Sequence, residues 1–320
     1  MSDTKIYKDF DLYSRALMGS NDVDPTYPVI KSIVEKEGFD PYWFSFVYVA
    51  FYSLETAIKM CREMPTHEAW DSKLFAQKRS SREWSKFGHE RRGTARNILT
   101  QINNFEHIKL FLEYFTTPTG EIDPSQYPKE WAKLHQDQAS FRAALQTLPF
   151  HGGWASFKLA EIWEKAFDWS HFEIPDLGVI GRDPNSNDGP VGGLRWLYGR
   201  EHTYDDTWYG IWDDLGSKLA RAWRVDIGRV ETCFCKFHKL VSGKYYIGHD
   251  IHEFHELEPV LGRRVYRSIM EEHFDPEIWQ DFHGVQKQFK SVYATKGNLL
   301  FSNFADKHPE ADVLQIMLDQ

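Results

Sequence analysis

Gly152-Gly153-Trp154-Ala155-Ser156-Phe157-Lys158-Leu159-Ala160-Glu161-Ile162-Trp163-Glu164-Lys165-Ala166-Phe167, with Ile174-Pro175-Asp176 shortly after it, governs the reading of this chain. A glycine pair permits a tight turn, and the amides of such a turn and of the helix start behind it bind a phosphate. Lys158 stands at the mouth of that helix and Asp176 just past its far end, so the two can converge in one pocket. The plainer reading is a helix started by a glycine turn, with Lys158 solvated and Asp176 capping the next element.

Outward from this segment the periodicity is mostly helical. Residues 41–62 are too long and too apolar on every side for a strand, and read as one buried helix. Amphipathic stretches cover 25–37, 68–79, 92–103, 104–116, 127–133, 136–148, 157–168, 190–199, 208–222 and 256–274. The run Gly178 to Pro190 is rich in turn formers, and beside Asp176 it reads as a lid or an insertion. Two segments, Glu231–Phe237 and Lys244–Gly248, flank Val241-Ser242-Gly243. Their alternation permits a small β-hairpin, with two short helices as the other reading.

The chain has 320 residues, 42% of them apolar, which is ample for a packed core in one large domain or two. No apolar run is long enough to span a bilayer, and Met1-Ser2-Asp3-Thr4-Lys5 lacks the apolar stretch of a secretory signal, so a soluble, cytoplasmic protein is expected. Only Cys61, Cys233 and Cys235 are present, which excludes a four-thiolate iron–sulfur cluster built from this chain alone. A net charge of −9 argues against a nonspecific nucleic-acid coat. Any DNA contact must come from a local basic face, and between Asp71 and Thr100 the run from Lys73 to Arg96 is that face.

Lys158, Ala160, the Ala166-Phe167 pair and Asp176 keep the order and spacing of the helix–hairpin–helix DNA glycosylases, and the segment resembles them. The hairpin departs from theirs, because Leu148-Pro149 is followed by the longer Phe150-His151-Gly152-Gly153-Trp154. A second likeness covers most of the chain. Asp24-Pro25-Thr26-Tyr27-Pro28-Val29-Ile30, the aromatic helix at 41–57, Glu90-Arg91-Arg92-Gly93, residues 152–178, Glu231-Thr232-Cys233-Phe234-Cys235 and Tyr245-Tyr246-Ile247-Gly248-His249-Asp250-Ile251 follow one another in order. In that order they resemble the bacteriophage amino acid:DNA transferases, also called α-glutamyl/putrescinyl thymine pyrophosphorylases, relatives of the same glycosylases.

That resemblance implies a mainly α, glycosylase-like helical fold with added N- and C-terminal helices. The expected plan is one globular unit over 1–320, with an N-terminal helical layer at 1–89, a helix–hairpin–helix core at 90–225 and a C-terminal extension at 226–320. It also implies a transferase acting on double-stranded phage DNA in which a 5-hydroxymethyluracil has been pyrophosphorylated. The amine of a free amino acid or polyamine displaces the pyrophosphate and leaves a new C–N bond at the thymine methyl carbon. No membrane and no obligate protein partner is expected.

Such chemistry assigns roles. The base must leave the stack, at a cost of a few kcal/mol. Departing pyrophosphate needs guanidinium donors, for which Arg91, Arg92 and Arg96 are candidates together with the hairpin glycines Gly152 and Gly153; the alternative for the arginines is a solvated face that follows the DNA backbone. Lys158 adds a point charge, and Asp176 takes the proton of the incoming ammonium or orients it. Glu231 and Asp250 hold the amine substrate or an ion. The sequence requires no cofactor, and Mg2+ bridging the pyrophosphate at Asp250 is compatible with it. Cys235, with Cys233, is a candidate for thiolate addition to the uracil ring, against the commoner role of a buried structural cysteine. His252, His255 and Glu256 have helical spacing for a metal but match no familiar zinc signature, and read chiefly as a polar helix start. Two other functions compete: a base-excision glycosylase, and a noncatalytic DNA-binding protein that uses the hairpin alone.

Overall fold

The computed structural model describes residues 3–66, 68–81, 153–168, 190–198, 206–241, 245–280, 302–308 and 313–318. Every regular element among the described residues is helical, and the chain is mainly α. In order they are α1 (Asp3–Gly19), α2 (Thr26–Glu37), α3 (Pro41–Phe51), α4 (Leu54–Glu63), α5 (Ser72–Ser80), α6 (Gly153–Lys165), α7 (Pro190–Tyr198), α8 (Asp206–Trp223) and α9 (Ile227–Val241). The short α10 (His249–Glu253) runs through a 3-10 turn at Phe254–Leu257 into α11 (Glu258–Leu261) and α12 (Arg263–His273). After them come α13 (Pro276–Trp279), a 3-10 segment at Ser302–Lys307 and α14 (Val313–Leu318). The chain divides into two compact units, one of Met1–Thr26, Glu173–His255 and Met270–Gln320, the other of Tyr27–Phe172 and Glu256–Ile269. Among the described residues no helix is long and apolar enough to cross a membrane.

In the second unit α3 is the core, with every residue from Tyr42 to Phe51 buried, as expected of a helix that is apolar on all sides. Asp40 starts it. Its carboxylate accepts from the amides of Tyr42 (2.8 Å) and Trp43 (3.0 Å), and Pro41 fills the first turn. The single helix expected over 41–62 is two helices. Tyr52 adopts the left-handed conformation (φ 51°) and closes α3, then Ser53 caps α4 by accepting from the amide of Thr56 at 3.3 Å. Trp163 of α6 stacks on Tyr42 with centroids 5.6 Å apart and meets Phe46 edge-on at 5.8 Å, which fixes the rotation of α6 against α3.

In the first unit α1 packs on α7, α9, α14 and the 3-10 segment at Ser302–Lys307. Phe10, wholly buried, touches the rings of Trp223, Phe234 and Phe237. Gly193 lets α7 lie directly on α9, because a Cβ there would sit 2.3 Å from the carbonyl oxygen of Phe234. The hairpin expectation is corrected here. Glu231–Phe237 lies within α9, whose buried positions Val230, Cys233, Phe234, Phe237 and Leu240 follow the helical period. Cys233 and Phe234 are adjacent and both buried, whereas a strand would send them to opposite faces.

Candidate functional site

The first unit buries a cluster of charges where the turn after α1, the middle of α9 and the start of α10 meet. Asp22 is fully buried. One of its carboxylate oxygens accepts from the Tyr245 hydroxyl and from the amide of Gly248 (2.7 Å), the other from the amide of Ile251 (3.3 Å). Lys236 lies on the buried face of α9, donates to the main-chain oxygen of Asp22 and pairs with Asp250 at 2.8 Å. The second oxygen of Asp250 lies 3.1 Å from Nδ1 of His249, and Glu253 lies 3.9 Å from the same nitrogen. The His249 ring is flanked by Tyr245 and Tyr246, each with its centroid 5.3 Å away. On the neighbouring turn of α9, Thr232 donates to Asp24 at 3.0 Å and reaches Glu231 at 3.4 Å.

Two carboxylates share one ammonium here, and they respond in opposite directions. Burial pushes Asp22 up to about 6, and the pull of Lys236 offsets this only in part. Burial also opposes the charge of Asp250, but Lys236 and the bond from His249 outweigh it and hold that carboxyl well below the ordinary range. The pKa of His249 is lowered by burial and raised by Asp250 and Glu253, with a net rise. Lys236 stays protonated, because Asp250 and Asp22 more than offset its desolvation. Burial pushes the thiol of Cys233 up to about 12, so it is not a thiolate near neutrality. Cys235 is half-buried two positions on.

The second unit holds the reverse arrangement around Lys158. Glu161, buried, receives Lys158 at 2.8 Å on one oxygen and Lys165 at 3.3 Å on the other. The Tyr27 hydroxyl donates to Glu161 at 2.5 Å and accepts from Lys158 at 3.2 Å. Both ammonium groups also lie near the Tyr27 ring, at 5.9 Å and 5.3 Å from its centroid. Burial disfavours the charge of Glu161, but the two lysines overcome it and bring the carboxyl down to about 2. Gly153 is the first residue of α6, as the glycine-turn reading expects. Gly152, Asp176, Arg91, Arg92 and Arg96 lie outside the described residues.

No protein-family model, no curated protein and no solved structure matches this chain. The geometry therefore carries the functional reading. Of the sequence candidates, the structure brings Glu231 and Asp250 to one cluster and sets Cys235 on the same helix. His252, weighed with His255 and Glu256 for a metal, is engaged in the core. Tyr246 bonds its Nδ1 at 2.8 Å and the carbonyl of Ile278 takes the other nitrogen, so both ring positions are occupied in the core.

Sequence reasoning missed Asp22 and Lys236 in one cluster and Tyr27 and Glu161 in the other, and in the run His249–Glu256 it weighed His252, His255 and Glu256 instead of His249 and Glu253. The second set had a signal. Lys158, Glu161 and Lys165 stand three and four positions apart, the spacing at which helical side chains meet. His249 and Glu253 are likewise four apart. Asp22 had none, since nothing local marks an aspartate in Gly-Ser-Asn-Asp as buried.

Proposed function

We propose that this chain is a DNA-modifying transferase that displaces pyrophosphate from 5-pyrophosphoryloxymethyl-deoxyuridine with the amine of an amino acid or polyamine. The observation that carries the reading is the buried charge cluster of the first unit, which residues of three of the stretches behind the transferase resemblance help to build. Thr232, of the Glu231–Cys235 stretch, donates to Asp24, the first residue of another, and Tyr245, Gly248 and Asp250, of the third, bond to the flanking Asp22 and Lys236. Their carboxylates outnumber their ammonium, so the cluster suits a cationic ligand, and the nucleophile of this reaction arrives as an ammonium.

The roles follow from the charges. Asp250, strongly ionised, is a poor base and a good electrostatic anchor, and Glu231 beside Asp24 is a second one. Lys158 is engaged in an ion pair with the Glu161 carboxylate, and it offers a point charge to a phosphate instead of a free amine to a sugar. That favours transfer over the lyase chemistry of a bifunctional glycosylase. Asp176 is proposed to take the proton of the amine, and Arg91, Arg92 and Arg96 to stabilise the leaving pyrophosphate. The helix–hairpin–helix architecture and the cytoplasm as working compartment belong to the same proposal.

The test is direct. Purified protein is incubated with DNA carrying pyrophosphorylated 5-hydroxymethyluracil and a mixture of amino acids and putrescine, and the digested nucleosides are analysed by mass spectrometry. An amine adduct with release of pyrophosphate is expected. Abasic sites would replace this reading by the glycosylase, and tight binding of unaltered DNA would replace it by a noncatalytic role.

A further inference from the structure

Three groups on the exposed side of the first unit's cluster stand in ligand geometry. Nδ1 of His249, a carboxylate oxygen of Asp250 and one of Glu253 all lie within 4.8 Å of one another. The His249–Asp250 separation of 3.1 Å is already that of neighbouring ligands on one ion, since bonds of about 2.1–2.2 Å at right angles put their ends about 3 Å apart. Glu253, at 3.9 Å from His249, closes the remainder by a side-chain rotation. Side-chain exposures of 32%, 29% and 39% leave room for further ligands from solvent.

The surroundings hold these groups in place. Lys236 ties the other oxygen of Asp250, and the two tyrosine rings flank the imidazole; outer contacts of this kind orient metal ligands and are costly to remove. Asp22, Asp250 and Glu253 bring three carboxyl groups to this place, against the paired ammonium of Lys236 and the more distant one of Lys239, a donor set that suits a cation. Independently, the hydroxyl of Tyr13 is wholly buried, feels the charges of Asp22 and Asp250, and has no hydrogen-bond partner among the described residues. A buried donor left this way beside carboxylates is the mark of a polar site that the chain's own groups do not complete.

We propose that His249, Asp250 and Glu253 bind one first-row divalent cation with open coordination positions. The mixed nitrogen and carboxylate set favours Mn2+, Fe2+ or Zn2+ over Mg2+, which prefers oxygen alone. The site stands on geometry and does not depend on the transferase reading. Where both hold, the ion takes Asp250 and leaves Glu231, next to Asp24, for the ammonium.

The experiment titrates the chelator-treated full chain with Mn2+, reading the free-ion paramagnetic resonance signal in the absence of DNA and amine. One tightly bound ion per chain is expected, with affinity reduced at least tenfold in His249→Ala and in Glu253→Gln. His255→Ala, an exposed histidine outside the set, leaves the affinity unchanged. Circular dichroism confirms that each variant keeps its helices, and both altered side chains are exposed enough for that. Absence of binding at millimolar Mn2+, affinity untouched by both ligand variants, or equal loss in His255→Ala would each overturn the site. Failure of the transfer assay with Mn2+ binding intact would leave the site standing and remove only the reaction.

Discussion

The two units hold inverse arrangements of the same groups. In the first, the ammonium of Lys236 pairs with Asp250 and donates to the main-chain oxygen of Asp22, whose carboxylate feels its charge; in the second, the carboxylate of Glu161 lies between Lys158 and Lys165. Each cluster is bonded by a tyrosine hydroxyl to its buried carboxylate, Tyr245 to Asp22 and Tyr27 to Glu161. The surplus therefore differs in sign, an acidic excess in one unit and a basic excess in the other. The contrast shows how a chain with a strongly negative total charge can still hold a locally positive cluster.

The largest effect is expected from Lys236→Met, which leaves Asp22 and Asp250 without their shared cation. Breaking a buried pair this way costs about 3–5 kcal/mol, read by urea unfolding at pH 7.5. Without the ammonium nothing from Lys236 offsets the burial that already raises Asp22 above its unfolded pKa. The contribution of Asp22 is then complete below the unfolded pKa and lost as pH rises through the folded one, so the variant recovers in part toward pH 5. A loss of the same size at both pH values would show that Lys236 acts by packing and would dissolve the contrast.

Glu161 carries the opposite pH signature. Its folded pKa of about 2 lies below the ordinary 4.5, so its contribution is present above 4.5 and disappears as pH falls through 2. The difference corresponds to about 3 kcal/mol. Urea unfolding between pH 5 and 2 measures it. Glu161→Gln is expected to be less stable by about 2–3 kcal/mol at pH 7 and to lack most of the acid-dependent loss.

How much of this was legible in the sequence depends on how local the cause is. The helices at 26–37, 190–198 and 206–223 follow from apolar spacing alone, and the start of α3 from Asp40-Pro41. The break at Tyr52-Ser53 was legible in principle, since Ser53 has the chemistry of a cap, but the apolar run on both sides masked it. α1 escaped because its charged residues dilute Tyr7, Phe10, Tyr13 and Leu17, which do hold helical spacing. α9 was misread because a short window rich in Thr, Cys and Phe, next to the turn former Gly243, suits a strand, while its helical period emerges only over the full element. Lys236 and Asp22 are made by tertiary contacts across more than two hundred positions, and no pattern in either segment announces the other.

Should the transfer reaction hold, kinetics should divide along the same line. Glu231→Gln is expected to raise KM for the amine about tenfold, or about 1.4 kcal/mol, with kcat changed little. Lys158→Met should raise KM for the modified DNA instead, by a smaller factor, because Lys165 still faces Glu161. An amine effect from Lys158 or a DNA effect from Glu231 would reverse the assignment of signs to units.

The finest comparison uses one substitution in both units. The Tyr27 hydroxyl donates to Glu161 and accepts from Lys158, so Tyr27→Phe removes a charge-assisted bond and is expected to cost about 1.5–3 kcal/mol. Tyr13 is as deeply buried as a core residue can be, yet its hydroxyl has no partner among the described residues. Removing it returns the desolvation cost of that group, and Tyr13→Phe should be neutral or stabilising by up to about 1 kcal/mol in metal-free protein. Both values come from the same denaturant titration at pH 7.5. A clear loss of stability in Tyr13→Phe would mean that its hydroxyl is satisfied within the fold, and the acidic cluster would then be as closed as the one around Glu161.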